Sequence, residues 1–264
     1  METMYRNIAE ELHAARRVLF VTGAGISADS GLPTYRGVGG LYNDQATEDG
    51  LSIEDALSGE CLSRRPDITW KYLAQVQRNC HGVLPNAAHR AIAALEQHCD
   101  VVVLTQNIDG LHIKAGSSKV IEIHGTLEER YCAHCGSDAD ASDTSVPPRC
   151  RRCGEIVRPR VVLFGEMLPG AAINRLYEEL SRGFDMVFVV GTTAVFPYIA
   201  EPVLQAVRAG IPTVEINPAH TRLSDQVKYY VPARAATALP GIIRFMPAAT
   251  ASSETAGKLD GGKR

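Results

Sequence analysis

No stretch of this chain approaches the roughly 18 apolar residues of a membrane-spanning helix, which argues against a helical membrane protein. Charge of one sign is not in excess either. The formal net charge is −3, so neither nucleic acid nor a lipid surface is an expected partner. The first 17 residues mix charges of both signs and lack an apolar signal core. No internal repeat is present. Together these absences lead us to expect a cytoplasmic protein, and we expect a monomer. What is present is enough for a sizeable core: 264 residues, 45% of them hydrophobic, suit one large domain or a domain carrying an insertion.

The stretch 18–36, VLFVTGAGISADSGLPTYR, organises the rest. Its four apolar residues 18–21 read as a short buried strand. Gly23, Gly25 and Ala28 then form a G-x-G-x-x-[G/A] turn, expected to lead into a helix. Gly23 permits the tight bend, and Gly25 lets backbone approach a pyrophosphate that the helix amides would face. An ordinary glycine-rich turn fits the triplet equally well. The acidic ribose-binding residue expected about 20 residues later is missing. Asp44 and Asp49 follow no second buried strand, and 31–37 reads as a loop, which argues against an ordinary dehydrogenase.

Around this turn the chain alternates strands and helices. A helix over about 5–17 precedes the first strand. Residues 52–80 read as helical, with Pro66 opening a second helix where proline costs little, so 43–84 forms a helical insertion. Asn86 is a candidate N-cap for a helix over 87–97. Buried strands are expected at 100–105, 120–123, 161–164, 186–190 and 213–216, and helices near 171–182 and 200–208. Continuous apolar strands alternating with helices mean an α/β fold with a parallel sheet and helices on both faces. Residues 248–264 read as a disordered tail.

Three groups of residues carry chemistry. Cys132, Cys135, Cys150 and Cys153 form two C-x-x-C pairs fourteen residues apart, close to the spacing of a closed, structural four-thiolate zinc site. Two redox disulfides are the alternative, though a chain of this size without a signal core has no need of them. His134, between two ligands, is read as a solvated loop residue. Cys61, Cys80 and Cys99 are scattered and read as small apolar residues. The second group, Gln106, Asn107, Ile108 and Asp109, leaves the C-terminal end of a buried strand, the edge where open α/β sheets bind ligands. Asn107 can pair with an amide such as a nicotinamide carboxamide, although an Asx-rich helix cap fits too. The third is His124, ending the 120–123 strand on the same edge. It is either a general base near neutral pH or a satisfied structural histidine. His13, His81, His89, His98 and His220 read as surface or capping residues. Gly191, Thr192 and Thr193, and then Asn217 and Pro218, follow two further strands with small polar groups suited to phosphate and ribose. Five strand ends thus converge on one edge.

GAGISADSGLPTYRG, TQNIDGLH, IEIHG, the paired C-x-x-C, VVLFGE, GTTAVFP and EINP occur in this order. Together they resemble the sirtuin family of NAD-dependent protein lysine deacylases, over about residues 18–240. The resemblance implies a Rossmann-like NAD domain (1–42, 85–129 and 158–247) and a small domain built from the helical module, 43–84, and a zinc module, 130–157. It implies that Gly23, Ala24, Gly25, Ser27, Ala28, Tyr35 and Arg36 wrap the NAD. Gln106, Asn107, Ile108 and Asp109 would line its nicotinamide end. Gly191, Thr192 and Thr193 would serve the phosphates and adenine side, Asn217 and Pro218 the adenosine ribose, and Ala233 the adenine. His124, Asn107 and Asp109 would be catalytic. An acyl-lysine peptide would lie as an added strand between Val162, Leu163, Phe164, Gly165 and Glu166 on one side and the Val195 loop on the other.

NAD would then be a co-substrate, and the products free lysine, nicotinamide and O-acyl-ADP-ribose. Protein mono-ADP-ribosylation on the same scaffold is the rival activity. Two departures stand out. Tyr35 replaces the family's usual Phe, keeping the ring. The helical module also lacks the Tyr-x-x-Arg with which one branch reads acidic acyl groups. Trp70, Tyr72 and Leu73 are expected to offer apolar acyl-binding surface instead.

Overall fold

The computed structural model describes residues 1–34 and 46–247. Tyr35, Arg36 and the tail expected over 248–264 lie outside the described residues. The chain opens with α1 (Glu2–Ala14), β1 (Arg17–Thr22), α2 (Ile53–Ala56), α3 (Gly59–Arg64), α4 (Pro66–Cys80) and α5 (Ala87–Leu95). Next come β2 (Asp100–Thr105), α6 (Leu111–Lys114), β3 (Val120–Glu122), β4 (Gly125–Cys132), β5 (Asp138–Ala139) and β6 (Val157–Val161). It closes with α7 (Gly170–Ser181), β7 (Met186–Val190), α8 (Pro197–Arg208), β8 (Thr213–Ile216), β9 (Tyr229–Val231) and α9 (Ala235–Ile243).

Six strands form one sheet in the order β3-β2-β1-β7-β8-β9, with every pair parallel. Their apolar runs are continuous because both faces are covered. Val18 and Phe20 of β1 point into a core shared with α1, α5 and α9. Leu19 and Val21 point into a second core shared with α7 and α8. Phe20 and Phe188 sit opposite each other in the β1–β7 register and stack at 4.7 Å.

A smaller unit rises beside one end of this sheet. Helices α2 to α4 enclose an apolar cluster around Trp70, Tyr72 and Leu57. Ser52 and Ser58 accept backbone amides at the starts of α2 and α3, and Pro66 opens α4. In the antiparallel sheet β5-β4-β6, Cys132 ends β4, and Cys135, Cys150 and Cys153 lie in the connections between the strands. Trp70 joins the two parts, its indole N–H donating to the Val157 carbonyl at 2.8 Å. Of the strands expected from sequence, 161–164 is displaced. Strand β6 ends at Val161 and pairs with β4, and Val162–Phe164 run on as a segment whose amides donate to His124 O, Glu166 Oε2 and Leu57 O. Strands β4, β5 and β9 and helix α9 were not expected. No helix among the described residues is long and apolar enough to cross a membrane.

Candidate active site

In a parallel sheet every strand ends on the same edge, so the turns after β1, β2, β3, β7 and β8 are neighbours. No α-helix follows β1 directly. The backbone makes two short 3₁₀ turns, at residues 24–26 and 28–30, so the expected helix N-terminus is replaced by tightly wound turns. The glycines answer first to a packing demand. Gly25 N–H donates to Gly191 O at 2.8 Å, and a Cβ on Gly25 would lie 2.7 Å from the Gly191 Cα. Gly191 itself has φ +61°, and a Cβ there would meet the Ile26 amide nitrogen at 2.4 Å. Gly25→Ala should therefore force the two turns apart. A loss of about 1–3 kcal/mol is expected for such overpacking, read as a fall in melting temperature, and an unchanged melt would contradict this packing.

Beyond β2, Gln106 donates its side-chain amide to Thr192 Oγ1 at 2.8 Å, linking two strand ends. Asn107 donates to Gly23 O and to Ser27 Oγ, each at 3.1 Å. Ser27 in turn donates to Asp109 Oδ2 at 2.7 Å, and the other Asp109 oxygen accepts the Leu111 amide at 3.0 Å. Behind this cluster stands His89. It completes the capping box of α5, as a capping residue should, but it is fully buried and not a surface group. Its Nδ1 accepts the Asn86 amide, which leaves Nε2–H directed at Ser27 Oγ, 3.5 Å away. Burial pushes its pKa down to about 4, so the ring is neutral. His112 packs edge-on at 4.9 Å and bonds Thr22. Nothing in the local sequence marks His89, because its burial comes from the packing of α5 on the sheet.

His124 follows β3. Its Nδ1 is 3.0 Å from the Gln106 carbonyl and its Nε2 is 2.8 Å from the Tyr198 hydroxyl. Burial lowers its pKa, partly opposed by the bond to Gln106. After β7, Thr192 O accepts from Asn217 at 3.2 Å. Ala194 adopts φ +48°, its carbonyl clamped by the Arg222 guanidinium. Glu215 in β8 accepts Thr221 and Ser224 hydroxyls, which pins the turn carrying Asn217.

These strand ends line a cleft of about 840 Å³. Gly23, Ala24, Gly25, Ala28, Gln106, Asn107, Ile108 and His124 form part of its wall. Gly191, Thr192, Thr193, Asn217 and Pro218 form another. Val162, Leu163 and Phe164 line it as well, as do Val195 and Phe196. Ser27 and Asp109 line instead an adjoining cavity of about 30 Å³, together with Asn107 and Ile108. Ala233, Gly165 and Glu166 line neither. Glu166 is held by Arg158 at 2.6 Å and by the Leu163 amide, while Arg234, beside Ala233, reaches the wall. His220, expected only as a surface group, also lines the cleft. The helical module supplies Leu57, Leu73 and Val76 to the wall. Trp70 and Tyr72 do not reach it. They fill the module's own core, Tyr72 donating its hydroxyl to Asp49.

Away from the cleft, the Sγ atoms of Cys132, Cys135, Cys150 and Cys153 all lie within 4.8 Å of one another and form no disulfide. Two of the separations are 3.5 and 3.7 Å. Four sulfurs at about 2.3 Å around a tetrahedral zinc stand about 3.8 Å apart, so the donor set fits that ion. His134 is exposed.

A family model for the Sir2 family matches residues 23–197. A curated relative from Pseudomonas aeruginosa, NAD-dependent protein deacylase 2, is 52% identical over 243 residues, covering 89% of this chain and 94% of its own. The NAD-dependent protein deacylase Sir2 of Mycolicibacterium smegmatis is 40% identical, covering 88% and 97%. Among solved structures, a Sir2 homologue mutant in complex with ADP-ribose aligns at TM-score 0.82 and 33% identity over 90% of this chain and 95% of its own. A Sir2–p53 peptide–NAD⁺ complex aligns at 0.78 and 30% identity, covering 90% and 96%. Strand order, four-thiolate cluster and cleft are thus found in a chain matched along most of its length, and the protein belongs to the Sir2 family.

Proposed function

We propose that this protein removes acyl groups from protein lysines in an NAD-dependent reaction, with NAD as co-substrate. The observation that carries this reading is the convergence of five parallel strand ends on one cleft, with His124 and apolar side chains together in its wall. Neighbouring Sir2 structures are complexes with ADP-ribose and with NAD⁺ and a p53 peptide, in keeping with that cleft.

Each group has a task its chemistry suits. The turns of Gly23, Ala24, Gly25 and Ala28, and of Gly191, Thr192 and Thr193, lie against the phosphates. The amides of Gly23, Gly25 and Gly191 are engaged within the protein, so these glycines serve by letting the backbone approach, and the threonine hydroxyls can donate. Asn217 and Pro218 serve the adenosine ribose. The Asn107 side-chain N–H groups are committed to Gly23 and Ser27, which turns its Oδ1 toward a carboxamide N–H. Asp109, engaged on both oxygens, fixes Ser27 and Asn107 in that pose and places negative charge beside the nicotinamide. His124 then takes the proton of a ribose hydroxyl as the acyl group moves to the ribose. The peptide runs between the 162–164 segment and the Val195 loop. The amides of Val162, Leu163 and Phe164 are already engaged, so pairing there relies on carbonyls and on the opposite wall. Zinc, when bound by the four cysteines, supplies structural support only. Its shell is closed, and no step passes through it.

The wall residues of α4 bear on acyl selectivity. Leu73 and Val76 are the pair three residues apart that faces the cleft, and neither is a cation. Lys71 is held outside by Asp49 and Glu48. Arg222 and Arg234 line the same cleft, as do Asn217 and Pro218, but an acidic acyl chain against α4 would lose water and gain no partner from that helix, a cost of several kcal/mol as an order of magnitude. One peptide carrying acetyl-, butyryl- or succinyl-lysine decides the matter. We expect kcat/KM for the uncharged groups to exceed the succinyl value by about 100-fold or more. A succinyl value above the acetyl value would refute this. Released nicotinamide, without NADH and without labelled ADP-ribose on protein, separates deacylation from hydride transfer and from ADP-ribosylation.

A further inference from the structure

His124 is held at both nitrogens. The Gln106 carbonyl can only accept, so Nδ1 carries the proton and Nε2 holds the lone pair of the neutral ring. That lone pair is taken, because the Tyr198 hydroxyl donates to it at 2.8 Å. A base acting through Nε2 must therefore lose this bond or be reached through it.

The surroundings of Tyr198 favour the second course. Tyr198 lies in the first turn of α8, directly after Pro197. Its ring is half-buried against the core beneath α8 and stacks on Phe196 at 5.4 Å, the planes 12° apart. Phe196 and Tyr198 both meet the imidazole edge-on, at 6.1 and 6.0 Å. His124 and Phe196 line the cleft; Tyr198 touches both without lining it itself, so a ribose hydroxyl would meet its Oη at the Nε2 edge of the His124 ring. Phenol and imidazole are thus each fixed from two sides. A hydroxyl, moreover, is both donor and acceptor.

We infer that Tyr198 is a further catalytic residue, relaying the proton from a ribose hydroxyl of the co-substrate to His124. The ribose O–H bond breaks as its proton passes to Tyr198 Oη. The original Oη–H bond breaks as that proton passes to Nε2. The ribose oxygen's electron pair is freed for the acyl group, the phenol ends as it began, and His124 ends as imidazolium. Nε2–H can then donate back to the same oxygen, so the ring keeps its position in both protonation states. The inference rests on the reading of His124 as the base.

Tyr198→Phe removes the hydroxyl and keeps the ring and its stack on Phe196. With the full-length protein, NAD and an acetyl-lysine peptide, three readings are needed for Y198F, H124A and the double variant: NAD binding, exchange of labelled nicotinamide into NAD, and single-turnover deacylation. The expected result for Y198F is unchanged binding and exchange, with deacylation slowed about 10–100-fold. In the H124A background Y198F should add nothing, since a relay works only through its acceptor, whereas a structural effect would add. Deacylation by Y198F within about twofold of wild type, or faster, while H124A is inactive would overturn the relay and leave the base reading standing. Additive losses, or an equal fall in exchange, would overturn it as a packing effect. An H124A enzyme as active as wild type would overturn the base reading and the relay with it.

Discussion

Replacing His124 with alanine is expected to slow deacylation about 10²–10⁴-fold, the usual loss on removing a positioned base, while NAD still binds. The side chain projects from the end of β3 between Gln106 O and Tyr198 Oη, and contributes no hydrogen bond to the sheet ladder itself. Its removal should therefore leave the cleft formed. The pH dependence follows from its surroundings. Burial disfavours the charged ring and lowers the pKa from the ordinary value of 6.5, and the Gln106 carbonyl, which favours the charged form, opposes this only in part. The neutral, proton-accepting form thus prevails at pH 7. Activity should fall as the pH drops through the lowered pKa, and the acidic limb of kcat/KM should lie below 6.5. Steady-state kinetics across pH, with calorimetric titration of NAD, check both points. Retained deacylation within a few-fold of wild type would remove His124 from the mechanism.

Loss of zinc should be nearly as damaging, by a different route. Cys132 and Cys150 are buried, but the apolar cluster around them holds little besides Val157. So small a core supplies little folding energy, and metal–thiolate bonds supply the rest. The two knuckles are alike. Gly136 N–H returns to Cys132 O and Gly154 N–H to Cys150 O, at 2.9 and 2.8 Å, with φ +70° and +78° at the glycines, values that suit residues without a Cβ. The damage should spread, because Val157 anchors Trp70 and β6 leads directly into the Val162–Phe164 wall. Cys132→Ser, or prolonged chelation, is expected to lower zinc content, folded yield and deacylation together. Metal analysis, thermal melting and the peptide assay measure the three. A metal-free protein with native melting and activity would show that the cysteine module stands without its ion.

Much of this was legible in the chain because it depends on neighbours in sequence. Runs such as 101–104 and 186–190 are apolar throughout, as only strands covered on both faces need to be. A glycine or a polar group directly after each run marks its C-terminal end, and parallel pairing brings such ends together. The C-x-x-C pairs are equally local, since each pair reaches an ion from a single turn.

Other features depend on distant packing. The glycine turn reads as the start of a helix, yet Gly191 presses on Gly25 from another strand, and the backbone coils into 3₁₀ turns. Trp70 and Tyr72 look like acyl-pocket residues from α4 alone. The helix is rotated by its contacts with Leu57, Leu163 and Val157, which buries those rings and turns Leu73 and Val76 to the cleft. Beside Asn107, His89 carries no local signal, and Tyr198 reaches His124 only because α8 starts at Pro197, three residues earlier than its apolar pattern suggests. Sequence by itself determined five of the six strands of the sheet, the edge on which their ends converge and the four clustered cysteines, since periodicity and spacing encode them locally. Which side chains face the cleft, and what touches His124, were decided by the tertiary structure, because a side chain's direction is set by elements far away in the chain.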